Sequence, residues 1–333
     1  MKKVIYTGIV ALLMGCHPQE KKSSMTETRL PEPDFTLTTE LTHNKFSSAI
    51  SPVIRVPDGS VIEVFTHEAT GGQLSFESTL EDIQHIDMDK VHTLTGPVYV
   101  EGAEPGDVLA VELLDLEPGD WGWTALAPGF GFLANEEERS LFKTYKLNKE
   151  DNSVEFADGI KIPLKPFPGV MGVAPPTGEM LNTIPPRANG GNMDDPHLVK
   201  GVTVYFPVFV KGALFSIGDT HAVQGLGEVC GTAVECPMRV RYRLSLRRDI
   251  TISEPQYESD TYYATTGFGT SLDEAARKAT GYMVEHLVNS RAMSWEEAYM
   301  LCSLAADLKI AEVVDLPHVL VTMHLPKTIF TQE

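Results

Sequence analysis

The sequence predicts a mainly β fold with an α/β part toward its C-terminal end. Three observations carry this prediction. Glycine (27 residues) and proline (22 residues) are frequent, which favours strands and shaped turns over long helices. The turn grammar Pro-Asp-Gly or Glu-Pro-Gly-Asp recurs between β-branched, apolar segments. Two helix-start signals of the form Ser-x-x-Glu lie near the C-terminus, at Ser271/Glu274 and Ser294/Glu297.

Taken in order, residues 1–15 have the layout of a signal peptide. Lys2 and Lys3 precede a short apolar run that ends in Leu13-Met14-Gly15-Cys16. Such a run is short for a permanent membrane span. Cys16 is the expected lipidation site of the mature chain, which places the protein outside the cytoplasm, anchored in a bacterial envelope. Residues 16–36, polar and opened by Pro18, read as a lipidated tether. Residues 37–160 read as an N-terminal β-rich lobe. Within it, Pro57-Asp58-Gly59 joins VIRV to VIEVF and predicts a hairpin. The turns at 104–107 and 117–120 repeat the device, and the Trp- and Gly-rich residues 121–139 read as a long loop.

Residues 161–333 are expected to hold a catalytic-loop region and a C-terminal α/β lobe. Prolines and glycines over 160–200 predict little regular structure. VTVYFPVFV and ALFSIGD then read as strands, the second running into a polar, glycine-rich loop. The first capping box opens a helix with Ala275, Ala279, Met283 and Leu287 on one side; the second opens a helix with Ala298, Leu301, Cys302, Ala305 and Leu308. HVLVTMHLPKTIF closes the chain as a strand.

The formal charge of −19 excludes nucleic acid as a partner, since phosphate binding needs a basic surface. The one basic cluster, Arg239, Arg241, Arg243, Arg247 and Arg248, alternates with Met238, Val240, Tyr242, Leu244 and Leu246. It predicts a strand with an ion-paired outer face. Beyond Cys16, the odd number of cysteines (Cys230, Cys236, Cys302) gives no disulfide framework, and no Cys-x-x-Cys motif occurs.

Polar chemistry concentrates in GDTHAVQGLGE at 218–228. Asp219 and His221 share a face if the backbone is extended, and a divalent ion such as zinc accepts both imidazole nitrogen and carboxylate oxygen. Gln224 is suited to orient a carbonyl or amide, and Glu228 to handle a proton. Asn192 and Asp194, in GGNMDD, can converge on a cation or a substrate amide; an ordinary Asx turn is the competing reading. Glu101, the Gly71-Gly72-Gln73 turn, His43, His85 and His92 are further polar positions without an assignable role. Gly-x-Ser-x-Gly, Walker and His-Glu-x-x-His motifs are missing.

LTGPVYVEGAEPGDVLAVELLDL at 94–116, ANGGNMD at 188–194 and FPVFVKGALFSIGDTHAVQGLGEVCGTAVE at 206–235 resemble the acetamidase/formamidase family. HNKFSSAISPVIRVPDGSVIEV and SWEEAYMLCSLAADLKIAEVVD extend the resemblance over nearly all of the chain after the tether. It implies a β-sandwich lobe packed against a mixed α/β lobe, a metal-containing site and a homo-oligomer. The implied activity is hydrolysis of small carboxamides, acetamide or formamide, to carboxylate and ammonia. The expected metal set is Asp219, His221 and Asp194, with Glu228, Asp194, Asn192 and Gln224 as catalytic candidates. Zinc is the expected ion, with a second ion such as calcium where the site takes two. The chain departs from the family pattern at His67, which stands where an acid is usual before Gln73, and at Leu226. Two alternatives stay open: an amide-binding lipoprotein without turnover, and an amidase for a larger or cyclic amide.

Overall fold

Alternating apolar and polar residues build two large sheets that share one core. The structure is a computed structural model that describes residues 1, 30–134 and 139–331. The expected signal peptide and Cys16 therefore lie outside the described residues, apart from Met1. Among the described residues no helix is long and apolar enough to cross a membrane. Residues 31–36 are tied down rather than free: Asp34 bonds Val61 through both backbone and side chain, and Phe35–Leu37 pairs in parallel with Val61–Thr66.

The first sheet has nine strands in the order Phe35–Leu37, Val61–Thr66, Met238–Arg247, Val108–Pro118, Thr203–Pro207, Gln256–Glu258, Tyr262–Gly269, Val319–Pro326 and Asp307–Glu312. The second has eleven. Its main path runs Ile160–Pro163, Ser153–Ala157, Leu141–Asn148, Trp121–Leu126, Val234–Glu235, Phe215–Val223, Phe167–Gly172 and Gly190–Asn192, and Leu94–Val100 joins it beside Phe215–Val223. Val111, Val204, Phe206 and Tyr242 of the first sheet meet Val98, Met171, Phe215 and Ile217 of the second in one buried cluster. The helix Leu272–Arg291 lays Ala275, Ala279, Met283 and Leu287 against Val321, Met323 and Leu325 of the nine-stranded sheet.

Several expectations change at this level. Pro57-Asp58-Gly59 does not close a hairpin. Ile54–Val56 pairs with Leu94–Val100 in one sheet and Val61–Thr66 with Met238–Arg247 in the other, so the turn is a corner between sheets. The turns at 104–107 and 117–120 are corners too, carrying the chain into and out of Val108–Pro118. Strand pairing also crosses residue 160 in both sheets. Residues 121–126 form a strand instead of a loop, with Gly122 lying against Val234 and Glu235. Phe167–Gly172, also read as irregular, is a fully buried strand.

The arginine strand is as expected. Arg239 pairs with Glu63, Asp115 and Glu117, Arg241 with Glu63, and Arg243 with Glu112. Ser294 and Glu297 make a complete capping box, but Glu274 turns to Thr270 while Ser271 caps alone. The second helix ends at Ala305, and Leu308 belongs to the edge strand Asp307–Glu312. Cys230, Cys236 and Cys302 are free thiols, with Cys302 buried.

Candidate active site

The strand Phe215–Val223 continues past Ile217, so Asp219 and His221 stand on a strand and not in the expected loop, which begins at Gln224. His221 lies in register with Phe167 on one side and Glu235 on the other. Its Nε2 is 3.0 Å from Glu235 Oε2, 3.6 Å from Asp219 Oδ2 and 3.7 Å from Asp194 Oδ1. His92 Nε2 stands 3.8 Å from Asp219 Oδ2. Ligand-capable atoms of Asp194, His221 and Glu228 lie within 4.8 Å of one another, as do those of Asp219, His221 and Glu235. All five residues are buried.

Hydrogen bonds fix the orientation of this group. Gln224 Nε2 donates to the Asp194 carbonyl at 2.7 Å, which turns Gln224 Oε1 toward His221 Nδ1 at 2.9 Å. An amide oxygen only accepts, so Nδ1 carries the proton and the Nε2 lone pair faces the carboxylates. The edge of the His221 ring also meets Phe167, with centroids 5.0 Å apart. Asp194, Asp219 and Glu228 have φ of 39°, 49° and 44°, a left-handed backbone that non-glycine residues seldom adopt. Such conformations persist where the surroundings over-determine them, and they gather at functional sites. Gly169 contributes: its carbonyl accepts from both Met193 N and Asp194 N, and its missing side chain leaves room for Asp194.

Crowding of buried acids sets the protonation pattern. Burial first, and the neighbouring Asp194 charge second, push the Glu228 carboxyl well above the usual range. Burial lifts Glu235 to about 7, against the pull of His221. Asp315 is raised by burial and by Asp194 and Glu312. Asp194 is raised by burial, with His221 opposing. Burial acts the same way on Asp219, but His92 and His221 outweigh it and hold this carboxyl down at about 2. Burial disfavours a charged His221, yet Glu235 and Asp219 overcome it and draw a proton toward the ring. The field that draws a proton to Nε2 equally favours a divalent cation on the same lone pair.

The donor set fits a metal ion. Asp194 Oδ1, Asp219 Oδ1 and Asn192 Oδ1 are buried without a hydrogen-bond partner among the described residues, and His221 Nε2 and Glu235 Oε2, 3.0 Å apart, meet as an ion pair without a well-formed hydrogen bond. Buried polar atoms in folded proteins are nearly always satisfied, and one cation can satisfy several oxygens and a nitrogen together.

Asn192, Asp194, Asp219, Glu228 and Glu235 line one side of a cavity of about 270 Å³. Ile83, Ile86, Met88, Trp123, Ala125 and Phe130 form its apolar wall. Trp123 is held there by Glu68, which accepts from its Nε1 and from Thr70 and Gly72. A larger cleft of about 820 Å³, lined by Tyr205, Arg247, Tyr263 and His286, holds none of the converging carboxylates.

Of the residues expected from sequence, Asp194, Asp219, His221 and Glu228 meet, Asn192 lines the cavity, and Gln224 braces two of the others. Glu101 is exposed at a turn, and Gln73 braces Thr70 and Asp87. His67 bonds the Thr39 carbonyl, and His43 bonds Lys45 and Ser216. His85 bonds the Glu81 carbonyl. Sequence reasoning missed Glu235, Asp315, Gly169 and the placement of His92. Glu235 closes the TAVE phrase, but only strand register puts it opposite His221.

The profile of the Acetamidase/Formamidase family matches residues 32–182 and 177–332. A formamidase of Methylophilus methylotrophus is 28% identical, over 86% of this chain and 89% of its own. The crystal structure of an acetamidase from Bacillus halodurans superposes with a TM-score of 0.83 at 34% identity, covering 89% of this chain and 98% of that one. A gamma lactamase from Delftia acidovorans has a TM-score of 0.64 at 26% identity, over 90% and 94% of the two chains. The chain therefore belongs to the acetamidase/formamidase family.

Proposed function

We propose that this protein hydrolyses small carboxamides, acetamide and formamide among them, to a carboxylate and ammonia. One observation carries the reading: Asp194 Oδ1 and Asp219 Oδ1, buried without a hydrogen-bond partner among the described residues, belong to carboxylates lining an apolar-walled cavity, with His221 Nε2 3.7 Å from Asp194 Oδ1, in a chain of this family. Asp219, His221 and Asp194 would hold a divalent ion, and the mixture of imidazole and carboxylate suits zinc. Bound there, such an ion supplies a Lewis acid that polarises an amide carbonyl and makes water more acidic.

The chain's own groups do the rest. Gln224 keeps His221 in the tautomer whose Nε2 is free. The Asn192 amide, at the cavity wall, is placed to donate to oxygen as negative charge develops there. Glu228, whose carboxyl burial pushes up, takes a proton from the attacking water and passes it to the departing nitrogen as the C–N bond breaks. Water oxygen ends on the carbonyl carbon, and ammonia leaves. A second, harder ion such as calcium would draw on the buried Asp315 carboxylate, whose Oδ2 has no hydrogen-bond partner among the described residues. We place the enzyme outside the cytoplasm, lipidated at Cys16; the basic start, short apolar run and Gly15-Cys16 support this. Exposed Trp295, Tyr299, Met300 and Leu304 on the last helix support assembly with further copies.

The test is ammonia release from formamide, acetamide, aromatic and cyclic amides, with metal content measured on the same preparation. His221→Ala is expected to abolish turnover while the protein stays folded. Full activity in a metal-free preparation would remove the metal assignment, and a strong preference for the bulky amides would replace the short-chain substrate class.

A further inference from the structure

Behind the site lies a second buried polar group that the reaction does not use. Asp195 and His197 follow the strand Gly190–Asn192, while Tyr257 and His324 belong to the nine-stranded sheet. Tyr257 and His324 stand opposite the same Ala264 on the strand between them. That small side chain leaves space for Tyr257 OH and His324 Nε2 to approach to 2.9 Å. Tyr257 donates its single hydroxyl proton to Asp195 Oδ2, so the hydrogen shared with His324 comes from the histidine. His197 adds two donors to Asp195 Oδ1, its ring Nδ1–H at 2.7 Å and its backbone N–H at 3.0 Å. Asp195, 1% exposed, is thereby held by the nine-stranded sheet through Tyr257 and by its own turn through His197.

Its neighbour in the chain is Asp194, whose φ is 39° and whose carboxylate faces the cavity. Two contacts fix Asp194 on the site side: its N–H bonds Gly169 O at 3.2 Å, and its carbonyl accepts from Gln224. That carbonyl belongs to the peptide joining Asp194 to Asp195, and the far end of the same peptide is held by the Asp195 contacts above. A strained residue keeps its conformation only when it is held from both directions.

We propose that Tyr257, Asp195 and His197 form a positioning clamp, through which the nine-stranded sheet keeps Asp194 aimed at the metal position. The clamp rests on the reading of Asp194 as a metal ligand. It acts as the groups behind metal ligands commonly do, by orientation and not by contact with the ion. Ligand-capable atoms of Asp195, His197 and His324 also lie within 4.8 Å of one another, but both Asp195 oxygens, His197 Nδ1 and His324 Nε2 are engaged in the hydrogen bonds above.

The test is zinc affinity, measured by chelator competition on the full protein. Tyr257→Phe removes one oxygen and keeps the ring in place. It is expected to weaken zinc binding about 10- to 100-fold and to lower kcat at limiting zinc, with KM unchanged. His197→Phe, at a half-buried position, is expected to weaken binding in the same direction by less. Tyr242→Phe removes a buried hydroxyl that has no partner among the described residues, and is expected to bind zinc as the parent does. Parent-like affinity in both Tyr257→Phe and His197→Phe overturns the clamp. So does a Tyr257→Phe protein whose metal-free Tm falls while its zinc affinity holds. If Tyr257→Phe does not fold, His197→Phe decides. A parent protein that binds no zinc overturns the metal reading instead.

Discussion

At the scale of single residues, the site acids make a distinctive pH signature. In the native protein burial holds Glu235 up to about 7 and Glu312 up to about 8, while the unfolded chain ionises both near the ordinary value of 4.5. Above that value the native state binds more protons than the unfolded state, so stability falls as pH rises through the native values. Buried His43 and His286 act oppositely: lowered to about 4, they add stability as pH rises toward 6.5, and nothing further above it. The window in which the fall is unopposed by these histidines is therefore roughly pH 6.5 to 8, where the raised His221 acts in the same direction as the acids. The Tm of metal-free protein is expected to fall across that window, and saturating zinc to flatten the fall, because a cation stabilises the ionised carboxylates. Paired thermal melts with chelator and with zinc check this; a metal-free Tm that climbs would contradict it. Residue chemistry was also the most legible level of the sequence. Asp219, His221, Asp194 and Glu228 were visible as polar groups among glycines. His92 was not, because its partner Asp219 lies far along the chain and nothing in the local pattern joins them.

At the scale of elements, the strand Phe167–Gly172 shows what pattern reading loses. Pro168 and Gly169 are poor strand formers, and the segment reads as a loop. Pairing on both sides, to Phe215–Val223 and Gly190–Asn192, overrides that preference. The glycine is demanded by the site. A methyl group on Gly169 would lie 2.3 Å from Asp194 Oδ1 and 2.8 Å from the Asp219 carbonyl oxygen, which is backbone and cannot swing aside. Gly169→Ala is expected to displace the Asp194 carboxylate, removing most turnover and weakening zinc binding, at a stability cost of about 1–3 kcal/mol. Activity assays, zinc titration and melting curves on this variant check it; unimpaired turnover would show that Asp194 tolerates the displacement. The two late helices were legible for the opposite reason: Ser294 and Glu297 cap each other within four residues, so their signal is local.

At the scale of the whole molecule, the mainly β composition was legible and the path between sheets was not. Pro57-Asp58-Gly59 looks the same in sequence whether it reverses a strand or hands it to another sheet. The difference lies in partners such as Met238–Arg247, which pairs with both Val61–Thr66 and Val108–Pro118. Cutting the chain at residue 160 is therefore expected to leave neither piece folded, and the two pieces co-expressed to recover structure only together. Circular dichroism and proteolysis of the separate pieces check this, and an independently folded 161–333 fragment would support the division into two lobes. The same corners govern the order of events during synthesis. Strands made early sit beside strands made late, and the nine-stranded sheet cannot close over Val61–Thr66 until Met238–Arg247 has emerged from the ribosome. At roughly 5–20 residues per second this delay lasts many seconds, during which the nine-stranded sheet stays incomplete. An unfolded chain is the form that passes through a secretion pore, so under the export proposed above this strand order would leave time for passage before folding.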